Sequence, residues 1–338
     1  MRRMTQWQDS RNLLKTRILS MIAGDIGGTK SRLLWAAQPL HQPLRILFER
    51  NYESAKFADA SALLRQFLHD AQRDAPPDLL CLALPGPLNL RRVELTNLNW
   101  IVDADALAGD LHIAEVRFVN DFQAAAAGVD VLQKTDLIVL NPGLIHLGAT
   151  RVITGAGTGL GLAWMQADER GTYRTFASEG GHVDFAPANS QQSDLLQWLR
   201  QKQAHVSWER VLSGPGLEAL YKFNYELNRG HTAELSLSAS QIHAAALQHE
   251  PVAQDAVRLF GDIYAAWAGN LALLYRPQGG LYIAGGMAIH LQTWLGAEHF
   301  ARLASDKGRM SDLVRTIPMY LITEPRLGVL GAARIAMS

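Results

Sequence analysis

The sequence predicts an α/β protein of two lobes, and three observations carry that prediction. Apolar runs of strand length alternate with stretches of helical spacing, the pattern of a sheet covered by helices. An apolar run, a glycine turn and a second apolar run occur twice, at 18–37 and again at 152–164. At 338 residues, 48% hydrophobic and 19% charged, the chain can bury two cores of ordinary size.

The first hairpin is a strand over 18–23 that enters Gly24-Asp25-Ile26-Gly27-Gly28-Thr29 and leaves through a strand over 33–37. Leu63, Leu64, Phe67 and Leu68 recur at helical spacing and predict a helix over 60–71, closed before the Pro76-Pro77 break. The wholly apolar run 79–84 suits a buried strand and stops at Pro85-Gly86-Pro87. A strand over 116–119 ends at Asn120-Asp121, and a helix of small residues starts at Phe122. The second hairpin runs from 152–154 through Gly155-Ala156-Gly157-Thr158-Gly159-Leu160-Gly161 and out along 162–164. Helices over 193–203, 241–248 and 251–274 follow, with one more buried strand at 281–284 before Gly285-Gly286. Two lobes that open on the same hairpin predict a pseudo-symmetric pair around a cleft.

Charge and cysteine content narrow the function classes. Lys plus Arg equals Asp plus Glu at 32 each, so the chain lacks the electrostatic footprint of a nucleic-acid binder or of a protein that docks on anionic membranes. No stretch reaches the roughly 18–20 apolar residues that cross a bilayer. The first 19 residues carry Arg2, Arg3, Arg11, Lys15 and Arg17 without the apolar segment of a signal peptide, so a cytoplasmic location is expected. The one cysteine, Cys81, sits among leucines and reads as a core residue; alone it can form neither an internal disulfide nor a multi-thiolate zinc site. Small molecules are the partners this composition implies.

Glycine turns let backbone N–H groups converge on phosphate oxygens, and a threonine adds a hydroxyl donor. Each turn on its own is equally a tight hairpin; the pair favours a nucleotide gripped from both lobes. Two rival motifs fail. Thr29 stands where a P-loop needs glycine before Lys30-Ser31, and Leu160 stands where a dinucleotide fingerprint needs its third glycine. Asp121, at the end of a strand, can accept a hydroxyl proton, although an Asn-Asp pair before a helix also reads as an N-cap. Glu179-Gly180-Gly181-His182-Val183-Asp184 sets a carboxylate and an imidazole among glycines, a donor and acceptor set that suits sugar hydroxyls. Asp184 is the one further carboxylate close by for a metal reading, which leaves that reading weak. Glu209 reads equally as a ligand or as a solvated acid.

Together these stretches, with Ser207 to Leu217 and Ile283-Ala284-Gly285-Gly286, resemble the bacterial glucokinase family in order and over nearly the whole chain, about 18–336. Glu179-Gly180-Gly181-His182-Val183-Asp184-Phe185-Ala186-Pro187 and the stretch from Glu209 to Leu217 are the specific parts. The glycine turns are shared more widely, across the hexokinase, actin and Hsp70 ATPase fold. The resemblance implies that two-lobed fold with the active site in the interlobe cleft: a small lobe of 18–131 plus 322–338, a large lobe of 132–321, and an N-terminal extension of 1–17. It implies an ATP-dependent kinase acting on the 6-hydroxyl of glucose, with Mg²⁺ accompanying ATP, and a homodimer. It matches Asp121 to the catalytic base and Asn120, Asp121, Glu179, His182 and Glu209 to the sugar site. Gly24, Asp25, Gly27, Gly28 and Thr29 match the first phosphate loop, with Asp25 near Mg²⁺ through water. Gly157, Thr158 and Gly159 match the second loop, and Gly285 and Gly286 the adenosine side.

Lys30 brings a cation to a position that is often neutral in relatives, and Trp208 stands before Glu209 where a small residue is common. Trp208 is therefore expected to report sugar binding by fluorescence. The zinc-binding cysteines of the related repressor-kinase (ROK) family are missing from the sequence. Two other readings are a kinase for another hexose and a sugar-sensing regulator without turnover.

Overall fold

Each glycine-turn hairpin begins a sheet of the same design. The computed structural model describes residues 19–38, 44–73, 75–86, 91–95, 97–230, 236–290, 292–294 and 296–337; the N-terminal extension, Ile18 and Pro87 lie outside them. One unit runs up to Val131 and resumes at Arg326, and Leu132–Pro325 forms the other.

In the first unit, β1 (Leu19–Ile26), β2 (Lys30–Gln38) and β3 (Arg45–Glu53) pair antiparallel, and β4 (Leu79–Leu84) and β7 (Glu115–Asn120) continue parallel from β1 in the order β3-β2-β1-β4-β7. A short antiparallel pair, β5 (Arg92–Leu95) and β6 (Trp100–Asp103), stands apart. All six residues of β4 are buried, as a central parallel strand covered on both faces demands. Cys81 sits there with no exposure, and burial pushes its thiol up to about 12, so it is an inert core group.

Three helices follow the strands: α1 (Ala60–Ala71), α2 (Ala104–Leu111) and α3 (Asp121–Gly128). The Asp59 carboxylate caps α1 by accepting from Ala62 N–H, and Leu63, Leu64 and Phe67 are its buried stripe. Helix Leu327–Ala336 returns to this unit and packs its alanines with Ala124 of α3 and with Met21 and Ala23 of β1. The sequence does not announce this helix, because Gly328 and Gly331 weaken its intrinsic preference. A Cβ on Gly331 would run into the Ala124 carbonyl oxygen, so packing against α3 explains that glycine.

The second unit repeats the plan. Here β9 (Arg151–Ala156), β10 (Leu160–Ala167) and β11 (Tyr173–Ser178) are antiparallel. Strands β12 (Leu281–Ala284) and β13 (Met319–Ile322) run parallel to β9, and β8 (Leu137–Asn141) closes the order β11-β10-β9-β12-β13-β8. Ile322 pairs with Leu137 in this sheet, so the chain returns to the first unit at Arg326 and not at 322. Around the sheet lie α4 (Ser190–Arg200), α5 (Gly214–Arg229), α6 (Ala239–Leu247), the long buried α7 (Pro251–Tyr275) and α8 (Gly286–His290). Among the described residues no helix is long and apolar enough to cross a membrane.

Candidate active site

The first unit contributes a turn and a carboxylate pair. Between β1 and β2 the chain turns at Gly27, Gly28 and Thr29, closed by Gly27 N–H donating to the Lys30 carbonyl at 3.1 Å. Ser54, fully buried, braces it from outside the hairpin. Its hydroxyl donates to the Gly27 carbonyl at 2.7 Å and its N–H to the Thr29 carbonyl at 3.1 Å. Local sequence offered no signal for Ser54, because the contact depends on β3 pairing with β2. Thr29 and Lys30 at the tip are exposed.

Gly24 is placed differently from the sequence expectation. It lies buried inside β1, where a Cβ would stand 2.6 Å from the side chains of both Leu33 and Leu82. It makes room for core leucines and takes no part in the turn. Asp25 follows, its carboxylate against Gly328 in the first turn of helix Leu327–Ala336. Burial pushes its acid up to about 6, with Arg32 pulling the other way. A single carboxylate of this kind fits Mg²⁺ arriving with nucleotide phosphates, since that ion keeps several waters and takes one or two carboxylates. Among the described residues no three His, Cys, Asp or Glu side chains gather as a metal cluster.

At the end of β7 the sequence left Asn120-Asp121 between capping and chemistry, and the structure gives the cap to Asn120. Asn120 is the N-cap of α3: its Oδ1 accepts from Phe122 N–H at 3.0 Å and Gln123 N–H at 3.1 Å. Its Nδ2 donates to the Gly86 carbonyl at 3.1 Å, which fixes the amide's orientation. Asp121 is the first helical residue, half-buried, with Oδ1 accepting from Phe122 N–H at 2.8 Å. The cap does not depend on Asp121.

The second unit gathers the three sugar-site candidates that belong to it. Glu179 Oε2 lies 3.9 Å from His182 Nε2, and Glu209 Oε1 lies 4.0 Å from His182 Nδ1. Both gaps exceed a hydrogen bond. Among the described residues the Glu179 carboxylate and the His182 ring find no hydrogen-bond partner, and both are more than half exposed. Donor and acceptor capacity is therefore held in place and left unspent.

The glycines make this possible. Gly181 lies so close to the Leu160 carbonyl that any Cβ would overlap it, so the single turn Gly180–His182 can press against β10 only as Gly-Gly. Segments 183–185 and 206–208 pair as a ribbon: Phe185 N–H donates to Val206 O and Trp208 N–H to Val183 O, at 2.9 and 3.0 Å. That ribbon joins the glycine turn carrying Glu179 and His182 to the single turn Trp208–Arg210, which carries Glu209. Asp184 points elsewhere, bonded to His205 at 2.9 Å, which removes it from the metal reading.

The second glycine turn adjoins this cluster. Gly157 N–H donates to Gly159 O across the turn at 2.8 Å, and Gly214 N–H, at the start of α5, donates to Gly157 O at 2.8 Å. Beneath it, Ala156 N–H donates to the Tyr264 hydroxyl at 3.1 Å. Gly285 packs on the Ala156 carbonyl with φ +93°, a left-handed conformation that favours glycine, and Gly286 starts α8 beside it.

Trp208, expected from its place beside Glu209 to report sugar binding, lies in the core. It is 2% exposed and packs between Phe185 and Trp267, with ring centroids 5.1 Å away in each case. Trp208→Phe should lower unfolding free energy by about 1–3 kcal/mol in urea titrations, and any glucose-induced emission change should persist in that variant. Loss of the signal in the variant would restore Trp208 as its source.

The family model for glucokinase matches residues 22–338. The chain belongs to the glucokinase family. The glucokinase of Trichormus variabilis is 37% identical over 337 residues, spanning 94% of this chain and 98% of that one. Among solved structures, the glucokinase of an Antarctic psychrotroph aligns with TM-score 0.82 and 30% identity, over 95% of this chain and 99% of its own. A ROK-family glucokinase from Streptomyces griseus, in complex with glucose and AMPPNP, shares the fold: TM-score 0.63, 20% identity, 94% of this chain and 99% of its own. The glucokinase-family fold is thus the two-lobed sugar-kinase fold, and the repeated sheet order is its internal symmetry.

Proposed function

We propose that this member of the glucokinase family transfers the γ-phosphoryl group of ATP to the 6-hydroxyl of glucose, in the cytoplasm. The observation that carries the reading is the Glu179, His182 and Glu209 cluster. Two carboxylates flank an imidazole at 3.9 and 4.0 Å, and among the described residues the Glu179 and His182 groups face no competing hydrogen-bond partner. Vicinal sugar hydroxyls both donate and accept, so they can use such a set fully. A ligand lacking one hydroxyl would leave a polar group unpaired, and selectivity follows from that penalty.

Asn120 adds a contact whose amide is already oriented by Gly86. Asp121 orients the 6-hydroxyl and accepts its proton as the oxygen attacks phosphorus. The Gly27-Gly28-Thr29 and Gly157-Thr158-Gly159 turns supply N–H and hydroxyl donors to the phosphates. Asp25 would hold Mg²⁺ through water, and that ion, when bound, would neutralise charge on the phosphoryl oxygens. The glucose and AMPPNP in the Streptomyces griseus relative support both substrates.

A coupled assay with ATP against a panel of hexoses tests the reading. Glucose should give the highest kcat/KM. Faster turnover of mannose or an amino sugar would reassign the substrate, and glucose binding without turnover would make the protein a sensor.

A further inference from the structure

Glu209 spends its two carboxylate oxygens differently. Oε1 faces His182 at 4.0 Å, on the side of the sugar cluster. Oε2 accepts a hydrogen bond from Leu160 N–H at 2.9 Å. Leu160 is the residue at which the Gly157-Thr158-Gly159 turn hands over to β10. The side chain is 28% exposed, less than half the value for Glu179 or His182. A charge-assisted bond in such partly excluded surroundings is among the stronger ones available to a turn.

Three further features concentrate on this junction. A Cβ on Gly159 would overlap Glu209 Oε2, so a side chain there must displace the carboxylate. Ser213 caps α5 by accepting from Gly216 N–H at 3.0 Å, while its hydroxyl donates to the Glu209 carbonyl at 2.8 Å. The next residue, Gly214, donates to Gly157 O. One helix start therefore holds the acid's backbone and the turn together, and the carboxylate closes the loop between them. Glu179 makes no comparable bond to the turn.

We propose that Glu209 is the positioning residue of the second phosphate turn as well as a sugar ligand, so that it sets nucleotide affinity even without sugar. The proposal rests on the reading of that turn as a phosphate site. Its direct consequence is a division between two acids that otherwise look equivalent: Glu209 serves both substrates, Glu179 the sugar alone. The second consequence is reciprocal. A change within the turn that displaces Oε2 should reach the sugar site without any nucleotide present.

The experiment is calorimetry with two ligands measured separately, AMPPNP without sugar and glucose without nucleotide, on variants whose thermal melts show a folded protein. Glu209→Ala should weaken AMPPNP by about tenfold, the scale of losing one charged hydrogen bond. Glu209→Gln keeps an acceptor for Leu160 N–H and should hold AMPPNP affinity within about twofold while glucose weakens. Glu179→Ala should leave AMPPNP within about twofold. Gly159→Ala should weaken glucose, because its new methyl group drives Oε2 off Leu160.

Unchanged AMPPNP affinity in Glu209→Ala overturns the proposal. So does an equal loss in Ala and Gln, or in Glu179→Ala, because then the bond to Leu160 is not what matters. The functional reading fails by a different sign: AMPPNP that binds no parent protein, or glucose affinity untouched by both Glu179→Ala and Glu209→Ala. If Glu209→Ala does not fold, the Gln and Gly159→Ala arms still decide.

Discussion

Asp121→Asn is expected to lower kcat by about 10³- to 10⁴-fold, the upper range of general-base contributions, while the glucose dissociation constant changes by no more than about threefold. Asparagine keeps the size of aspartate and its ability to accept from Phe122 N–H, so α3 should start as before. Helix capping is supplied by Asn120, whose side chain holds both Phe122 and Gln123 N–H groups. A loss of rate in Asp121→Asn therefore cannot be traced to a lost cap, which makes this substitution sharper than alanine. What it removes is proton acceptance, needed only as the sugar oxygen attacks, and such a loss falls on kcat. Steady-state kinetics with glucose titration by calorimetry measures both quantities. A kcat within threefold of the parent would remove Asp121 from the chemistry, and the mechanism with it.

Glu179→Ala is expected to raise the glucose KM by well over tenfold. The side chain is 63% exposed and makes no hydrogen bond among the described residues, so its removal should cost little stability. It leaves His182 without the carboxylate at 3.9 Å and leaves sugar hydroxyls without an acceptor. Nucleotide affinity without sugar should hold, since among the described residues no hydrogen bond joins the Glu179 carboxylate to the Gly157-Thr158-Gly159 turn. Kinetics at saturating ATP, a nucleotide titration and a thermal melt together check this. A fall in melting temperature together with loss of both substrates would make Glu179 a structural residue.

The sequence by itself determined the α/β class, the buried strands Leu79–Leu84 and Leu281–Ala284, helix Ala60–Ala71 and both glycine turns. Each of these is written in local chemistry. A strand buried on two faces must be apolar throughout, a half-buried helix must repeat every three to four residues, and a tight turn needs glycine. Family resemblance carried the site residues; in the structure Glu179 and Glu209 stand 3.9 and 4.0 Å from the two nitrogens of His182.

Tertiary structure alone decided the rest. Strands β3 and β11 are edge strands without a buried residue, so their pairing with β2 and β10 left no apolar run to read. Helix Leu327–Ala336 contains two glycines that only its fit against α3 and Asp25 explains. The helix over 190–200 starts three residues before the sequence reading because Asn189 caps it, accepting from Gln192 N–H. Gly24 looked like part of a phosphate loop and proved to be a packing position, because its neighbours Leu33 and Leu82 come from other strands. The burial of Trp208 was not legible for the same reason: Phe185 and Trp267, which enclose it, lie 23 and 59 residues away in sequence. The bond from Leu160 to Glu209 spans 49 residues. Local pattern records how much of a residue is buried, and it carries no record of which distant group does the burying.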